Sequence, residues 1–278
     1  MERFRVRFAR IAGVLALVGA SCLPVGCSTV PGNRPPGSWE AAYRPIESAE
    51  VDAFVAFALD RATRTFGPPA RPVREVRLRR SKKASGARGY RLAEDFSLTE
   101  CVDPSNGIYV VYLAADPGDP NFYPLLGHEC AHLIDPRIYD WYMEGIATVF
   151  SEETCRARGL AWGGWRRRFE RDDRDPYALS YRMMRELKAA FPIEYPALVS
   201  LYAEENPARW ARGRRRIEVD GWIASLPAAR RGEARAIIAR YAKGLRRHAK
   251  KPYAFEVPRS DGRPEGRTKS NPGVRLCP

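Results

Sequence analysis

Apolar residues recur at helical spacing through "ESAEVDAFVAFALDRATRTFG" (47–67), which predicts a helix closing at Gly67 before two prolines. Alternation follows in "VREVRLRR" (73–80), placing Val73, Val76 and Leu78 in a ragged strand, and the Lys, Ser and Gly residues of "SKKASGARG" read as a loop. "GIYVVYLA" (107–114) is the clearest strand, rich in β-branched and aromatic residues and bounded by "DPSN" and "DPGDP". From there the pattern is helical, over 122–134, 141–157, 176–191, 194–205, 217–226 and 229–248, with no repeat. A small sheet ahead of a helical half predicts an α+β fold.

The ends of the chain follow other rules. "MERFRVRFAR" supplies four arginines, "IAGVLALVGA" is an apolar run too short to span a bilayer, and "SCLPVGC" follows, which together predict a secretory signal. Gly26, Cys27 and Ser28 resemble a bacterial lipobox, although Leu23 and Pro24 are displaced from its usual pattern; plain cleavage near Ala20 is the alternative. The expected layout is a signal and lipid-anchor segment over 1–27, a flexible tether over 28–46, one main domain over 47–251 and a loosely ordered tail over 252–278. The expected location is the bacterial cell envelope, with the membrane reached through a lipid on Cys27.

At 278 residues, 45% hydrophobic and 29% charged, the chain is long enough to bury one sizeable core. Lipidation of Cys27 would leave Cys101, Cys130, Cys155 and Cys277, which in an oxidising compartment allow two disulfides in three connectivities. No two of them have the close spacing of a cysteine-only metal site. The formal charge of +14 concentrates in "RWARGRRR" (209–216) and in 229–251. Ala234, Ile237, Ile238, Tyr241 and Leu245 fall at helical spacing in the second segment, so its arginines and lysines read as the solvated face of a packed helix. No recognition motif accompanies them, which argues against nucleic acid; anionic lipid headgroups or envelope polymers are the expected polyanions.

The chemistry concentrates in "YPLLGHECAHLIDP" (123–136). On a helix His128 and His132, four apart, share one face and can aim both imidazoles at one point, an arrangement suited to Zn2+. Glu129 sits at the edge of that face, poorly placed as a ligand but within reach of a metal-bound water, as a general base must be. A helix capped by Asp140 begins only a few residues later, so the two helices are neighbours and Glu144, in the first turn of the second, returns a carboxylate to the histidines. Asp135, Asp140, Glu152 and Glu153 compete for that role, and a three-histidine site would have to recruit the distant His248.

"GHECAHLID" followed by "WYMEGIA" resembles the gluzincin class of zinc metallopeptidases, over roughly 107–191. The resemblance implies a zincin-like fold, a zinc site of His128, His132 and Glu144 with one position open for water, Glu129 as general base, and "GIYVVYLA" as the sheet edge lining a peptide cleft. "DPYALSYRMMREL" resembles the segment of aminopeptidase-like gluzincins whose tyrosine hydrogen-bonds the developing oxyanion, which implies that role for Tyr177; Tyr177, Tyr181 and Met184 also form a helical stripe that core packing alone accounts for. The interval from His132 to Glu144 is shorter than in those aminopeptidases, and their acidic motif for a free amino terminus has no counterpart. The expected activity is zinc-dependent hydrolysis of peptide bonds; the alternative is a non-catalytic envelope lipoprotein that holds an anionic partner on its basic helices.

Overall fold

The computed structural model describes residues 40–83, 92, 94–208, 213–249 and 253–258. The expected signal and lipid-anchor segment, most of the expected tether, and Cys277 lie outside them. Strands β1 (Tyr43–Pro45), β2 (Glu75–Lys83), β3 (Leu98–Asp103) and β4 (Ile108–Leu113) form one mixed sheet in the order β1-β2-β4-β3. Helix α1 (Ala49–Phe66) lies between β1 and β2 in sequence; α2 (Phe122–His132), α3 (Trp141–Ala157), α4 (Gly163–Phe169), α5 (Pro176–Ala190) and the single turn α6 (Ala197–Ser200) follow the sheet. A two-stranded hairpin of β5 (Ala203–Glu205) and β6 (Arg215–Ile217), then α7 (Val219–Ser225) and α8 (Arg231–Arg246), complete the order. The α/β composition and the sheet-then-helices order agree with the sequence reading.

The β4 strand is central, not an edge. It pairs in parallel with β2 and antiparallel with β3. Its side chains alternate: Tyr109, Val111 and Leu113 enter the main core with the helices, while Val110 and Tyr112 join a smaller cluster with Ala42, Tyr43 and Leu92. Burial on both faces is why this strand reads as a continuous apolar run. The edge expected of "GIYVVYLA" belongs instead to β3, a strand absent from the hydrophobic pattern because its residues alternate between buried and half-buried without a strong apolar set. Asp103 Oδ1 accepts from the backbone N–H groups of Ser105 and Asn106, and Gly107, at φ 66°, closes the turn into β4.

Local signals placed the helices well. Asp140 caps α3 by accepting from Met143 N at 2.7 Å, and Asp175 caps α5, accepting from Tyr177 N at 2.9 Å with Pro176 in the first turn. The α8 helix buries Ala234, Ile237, Ile238 and Leu245 as its spacing predicts and turns its basic residues outward. Among the described residues no helix is long and apolar enough to cross a membrane.

Other expectations are corrected. The helix expected over 194–205 is one turn, since Ala203–Glu205 pairs with Arg215–Ile217 and Arg216 reaches Glu204 at 2.8 Å. Residues 40–46, assigned to the tether, are part of the fold: Glu40 pairs with Arg79 at 2.7 Å, and the Tyr43 hydroxyl accepts from Leu92 N at 2.7 Å. Residues 253–258, assigned to the tail, are stapled to α3. Trp141 N donates to Ala254 O, Tyr142 Oη donates to Glu256 O at 2.6 Å, and Phe255 stacks on Tyr142. Cys101, Cys130 and Cys155 are buried thiols, so no disulfide joins them.

Two close approaches hold α2, α3 and α5 together. Gly127 lies against Ser151 of α3, and a side chain at Gly145 would overlap the Ser180 carbonyl and Met184 of α5. Gly145→Ala is expected to push α3 from α5 and cost about 1–3 kcal/mol of unfolding free energy, checked by denaturant titration.

Candidate metal centre

His128 and His132 lie one turn apart on α2, and Glu144 enters from the first turn of α3. His128 Nε2 is 3.2 Å from Glu144 Oε2, His132 Nε2 is 3.3 Å from His128 Nε2, and His132 Nε2 is 3.7 Å from Glu144 Oε1. Zinc with nitrogen and carboxylate ligands at about 2.0–2.1 Å in a tetrahedron requires donors roughly 3.3–3.4 Å apart, so the spacing suits one small ion. All three residues are buried and their donor atoms form one group.

Hydrogen bonding fixes how His128 faces that group. Thr148 Oγ1 donates to Glu144 O at 2.7 Å, which uses its one hydrogen, and it stands 3.2 Å from His128 Nδ1. Nδ1 must therefore carry the proton and donate to Thr148, leaving the Nε2 lone pair pointed at Glu144. Two electron-rich atoms 3.2 Å apart require a proton or a cation between them. Burial lowers the pKa of both imidazoles, His132 to about 4, and raises that of Glu144, with His132 opposing the rise. Neutral imidazoles are what a metal needs. If the group holds a metal ion, Thr148→Val is expected to weaken its binding by about 10–100-fold, read with zinc as the probe by competition with a chromogenic chelator.

Glu129 stands beside the group and outside it. Thr99 Oγ1 on β3 lies 2.9 Å from Glu129 Oε2 and 2.9 Å from its backbone carbonyl, which ties the carboxylate to the edge strand. Burial pushes Glu129 up to about 7, opposed by His128 and the Thr99 hydrogen bond. A carboxylate near neutrality can both take and return a proton at physiological pH.

No protein-family model, curated protein or solved structure matches this chain.

Tyr177 separates from the stripe it shares with Tyr181 and Met184. Those two are fully buried, whereas the half-buried Tyr177 ring lies 6.1 Å from that of His128 and edge-on to Trp141. Its hydroxyl bonds with Tyr253, whose ring stacks on Trp141 at 4.8 Å, and burial raises both phenols well above their ordinary value. Two cavities meet here. One of about 40 Å³ is bounded by the donor group, Thr99, Tyr177 and Tyr253; another of about 250 Å³ shares Ser97, His128, Glu129 and Tyr177 with it as lining.

The competing acids are engaged elsewhere. Asp135 pairs with Arg137 at 2.9 Å and Arg215 at 2.7 Å; the second Asp140 oxygen accepts from Ile217 N. Glu152 binds Arg166 and Tyr181, and Glu153 binds Lys188 and Arg61. His248 presents its backbone carbonyl to Trp141 Nε1. Sequence reasoning missed Thr99, Thr148 and Tyr253. Thr148 had a signal, being four residues beyond Glu144 on the same helix face; Thr99 and Tyr253 had none, since both arrive from distant segments.

Proposed function

We propose that this protein is a zinc-dependent hydrolase of peptide bonds, of the gluzincin type that its motifs resemble. The observation that carries this reading is the convergence of His128, His132 and Glu144 at tetrahedral spacing, with Glu129 held beside them and two cavities adjoining. Two imidazoles and one carboxylate make a ligand set typical of catalytic zinc, with a position left for water or substrate. When bound, zinc supplies Lewis acidity, bringing the pKa of coordinated water from 15.7 to about 7 and polarising a carbonyl.

The chain's own residues supply the rest. Glu129, fixed by Thr99, accepts a proton from water and returns it to the leaving amine. Tyr177 keeps its proton at neutral pH and donates to the carbonyl oxygen as negative charge builds there. The edge strand β3 offers backbone groups along which an extended peptide can lie, beginning next to Thr99. A secretory signal over 1–27 with a lipid on Cys27, the reading that the sequence supports, would put this activity in the cell envelope.

The test is hydrolysis of a generic protein substrate that a chelator abolishes and added zinc restores, alongside zinc content per chain by elemental analysis. About one zinc per chain with chelator-sensitive cleavage is the expected result. A chain that takes up no zinc after reconstitution would sink the proposal.

A further inference from the structure

The cavity of about 250 Å³ borders His128, Glu129 and Tyr177, and of the three donors only His128 lines it. Its apolar walls come chiefly from three places, with Phe96 adding to them. Leu125 lies one turn before His128 on α2, Ala114 and Ala115 follow β4, and Trp165 and Phe169 project from α4. The aromatic wall is braced: Trp165 and Phe169 meet edge to face at 5.5 Å, Phe169 packs on Tyr181 at 5.5 Å, and Trp165 Nε1 donates to Asn121 Oδ1 at 2.8 Å. Of the carboxylates that line it, Asp119 and Asp175 are bonded, and Asp95 is exposed to solvent. Asp175 pairs with Arg168 at 2.8 Å and caps α5, and Asp119 Oδ1 accepts from Asn121 N and Nδ2.

A cavity of about 150 Å³ with apolar walls takes up a benzene ring, so this one has room for a large side chain against Leu125, Trp165 and Phe169. The helix that walls it, α4, was invisible in the periodicity because it is seven residues long, yet its Trp165 and Phe169 stand four apart on one face. Building a short, arginine-rich helix to present two aromatic rings to a cavity beside the general base has a use if the cavity receives substrate.

We infer that this cavity is the specificity pocket of the enzyme and takes a large apolar side chain, aromatic or long aliphatic, next to the scissile bond. The inference rests on the hydrolase reading. In a hydrophobic pocket one methylene changes discrimination by about 10–200-fold, so peptides bearing Phe or Leu at that position should be cleaved at least about tenfold faster, in kcat/KM, than those bearing Ala.

The experiment uses the zinc-loaded full chain and a peptide library, with cleavage sites read by mass spectrometry. Leu125→Trp fills the pocket from α2, and Ala114→Phe fills it from the opposite wall. Cleavage beside Phe, Leu, Met or Tyr in the parent, shifting toward small residues in both variants, is the expected result. A separate arm reads the pocket without catalysis: fluorobenzene should bind the metal-free parent by 19F NMR, and both variants should exclude it. Cleavage without preference for large apolar residues, or an unchanged preference in folded, zinc-containing variants, overturns the pocket alone. Absence of any cleavage with zinc bound overturns the hydrolase reading and the pocket's role in specificity with it, whether or not fluorobenzene binds. Failure of fluorobenzene to bind while cleavage proceeds overturns the pocket and leaves the hydrolase standing.

Discussion

On the proposed hydrolase reading, Glu129→Gln will bind zinc as the parent does and hydrolyse peptides about 100–10,000-fold more slowly, the span that a positioned general base contributes. The substitution keeps the shape of the side chain and an oxygen able to accept the hydrogen bond from Thr99, which now spans 2.9 Å. It removes the group that takes and returns the proton. The carboxylate is not one of the three converging donors, so the ion has no reason to leave. Elemental analysis and kcat on the same preparation separate the two roles. Full activity in this variant would remove Glu129 from the mechanism; loss of zinc would make it a ligand.

The second large effect falls on the metal. His132→Ala and Glu144→Ala will each lose zinc and hydrolysis together, with affinity falling by more than the roughly 10–100-fold expected when an outer partner is removed. Asp135→Asn is the informative contrast. Asp135 is one of the acids that compete with Glu144 by sequence, but it sits buried between Arg137 and Arg215. Its replacement leaves two guanidiniums without their carboxylate and lowers stability, while the folded fraction keeps its zinc. Zinc retention in Glu144→Ala together with loss in Asp135→Asn would reverse the ligand assignment.

Asp135 also shows how the site is held. The loop from α2 to α3 is tied to the β5–β6 hairpin through Arg215, and the Asp140 carboxylate that caps α3 also receives Ile217 N from the same hairpin. Segment 253–258 adds a further clamp where Trp141 N meets Ala254 O. The angle between α2 and α3 sets the distance between the histidines and Glu144, and elements far along the chain fix it.

Much of the candidate metal site was legible from sequence because its determinants are local. Four-residue spacing puts His128 and His132 on one helix face whatever the rest of the fold does. The Asp140 cap and the short connection bring α3 alongside α2, and Glu144 falls in its first turn as a consequence. The helices with strong caps and an apolar stripe were read within a few residues. Elements without such signals were not. The β3 strand carries no clear apolar alternation, α4 is too short for periodicity to show, and 253–258 looks like a tail because its partners lie over a hundred residues away.

The sequence by itself determined the donor types, their spacing and the helices that present them, since capping and helical period act within a few residues. Only the tertiary structure decided that β3 is the sheet edge, that Thr99 holds Glu129, that Tyr177 faces the histidines while Tyr181 and Met184 enter the core, and that a second cavity adjoins them. Each of those depends on packing between segments distant in the chain, where the choice among partners follows from shape and burial across the whole fold and leaves no periodic mark in the sequence.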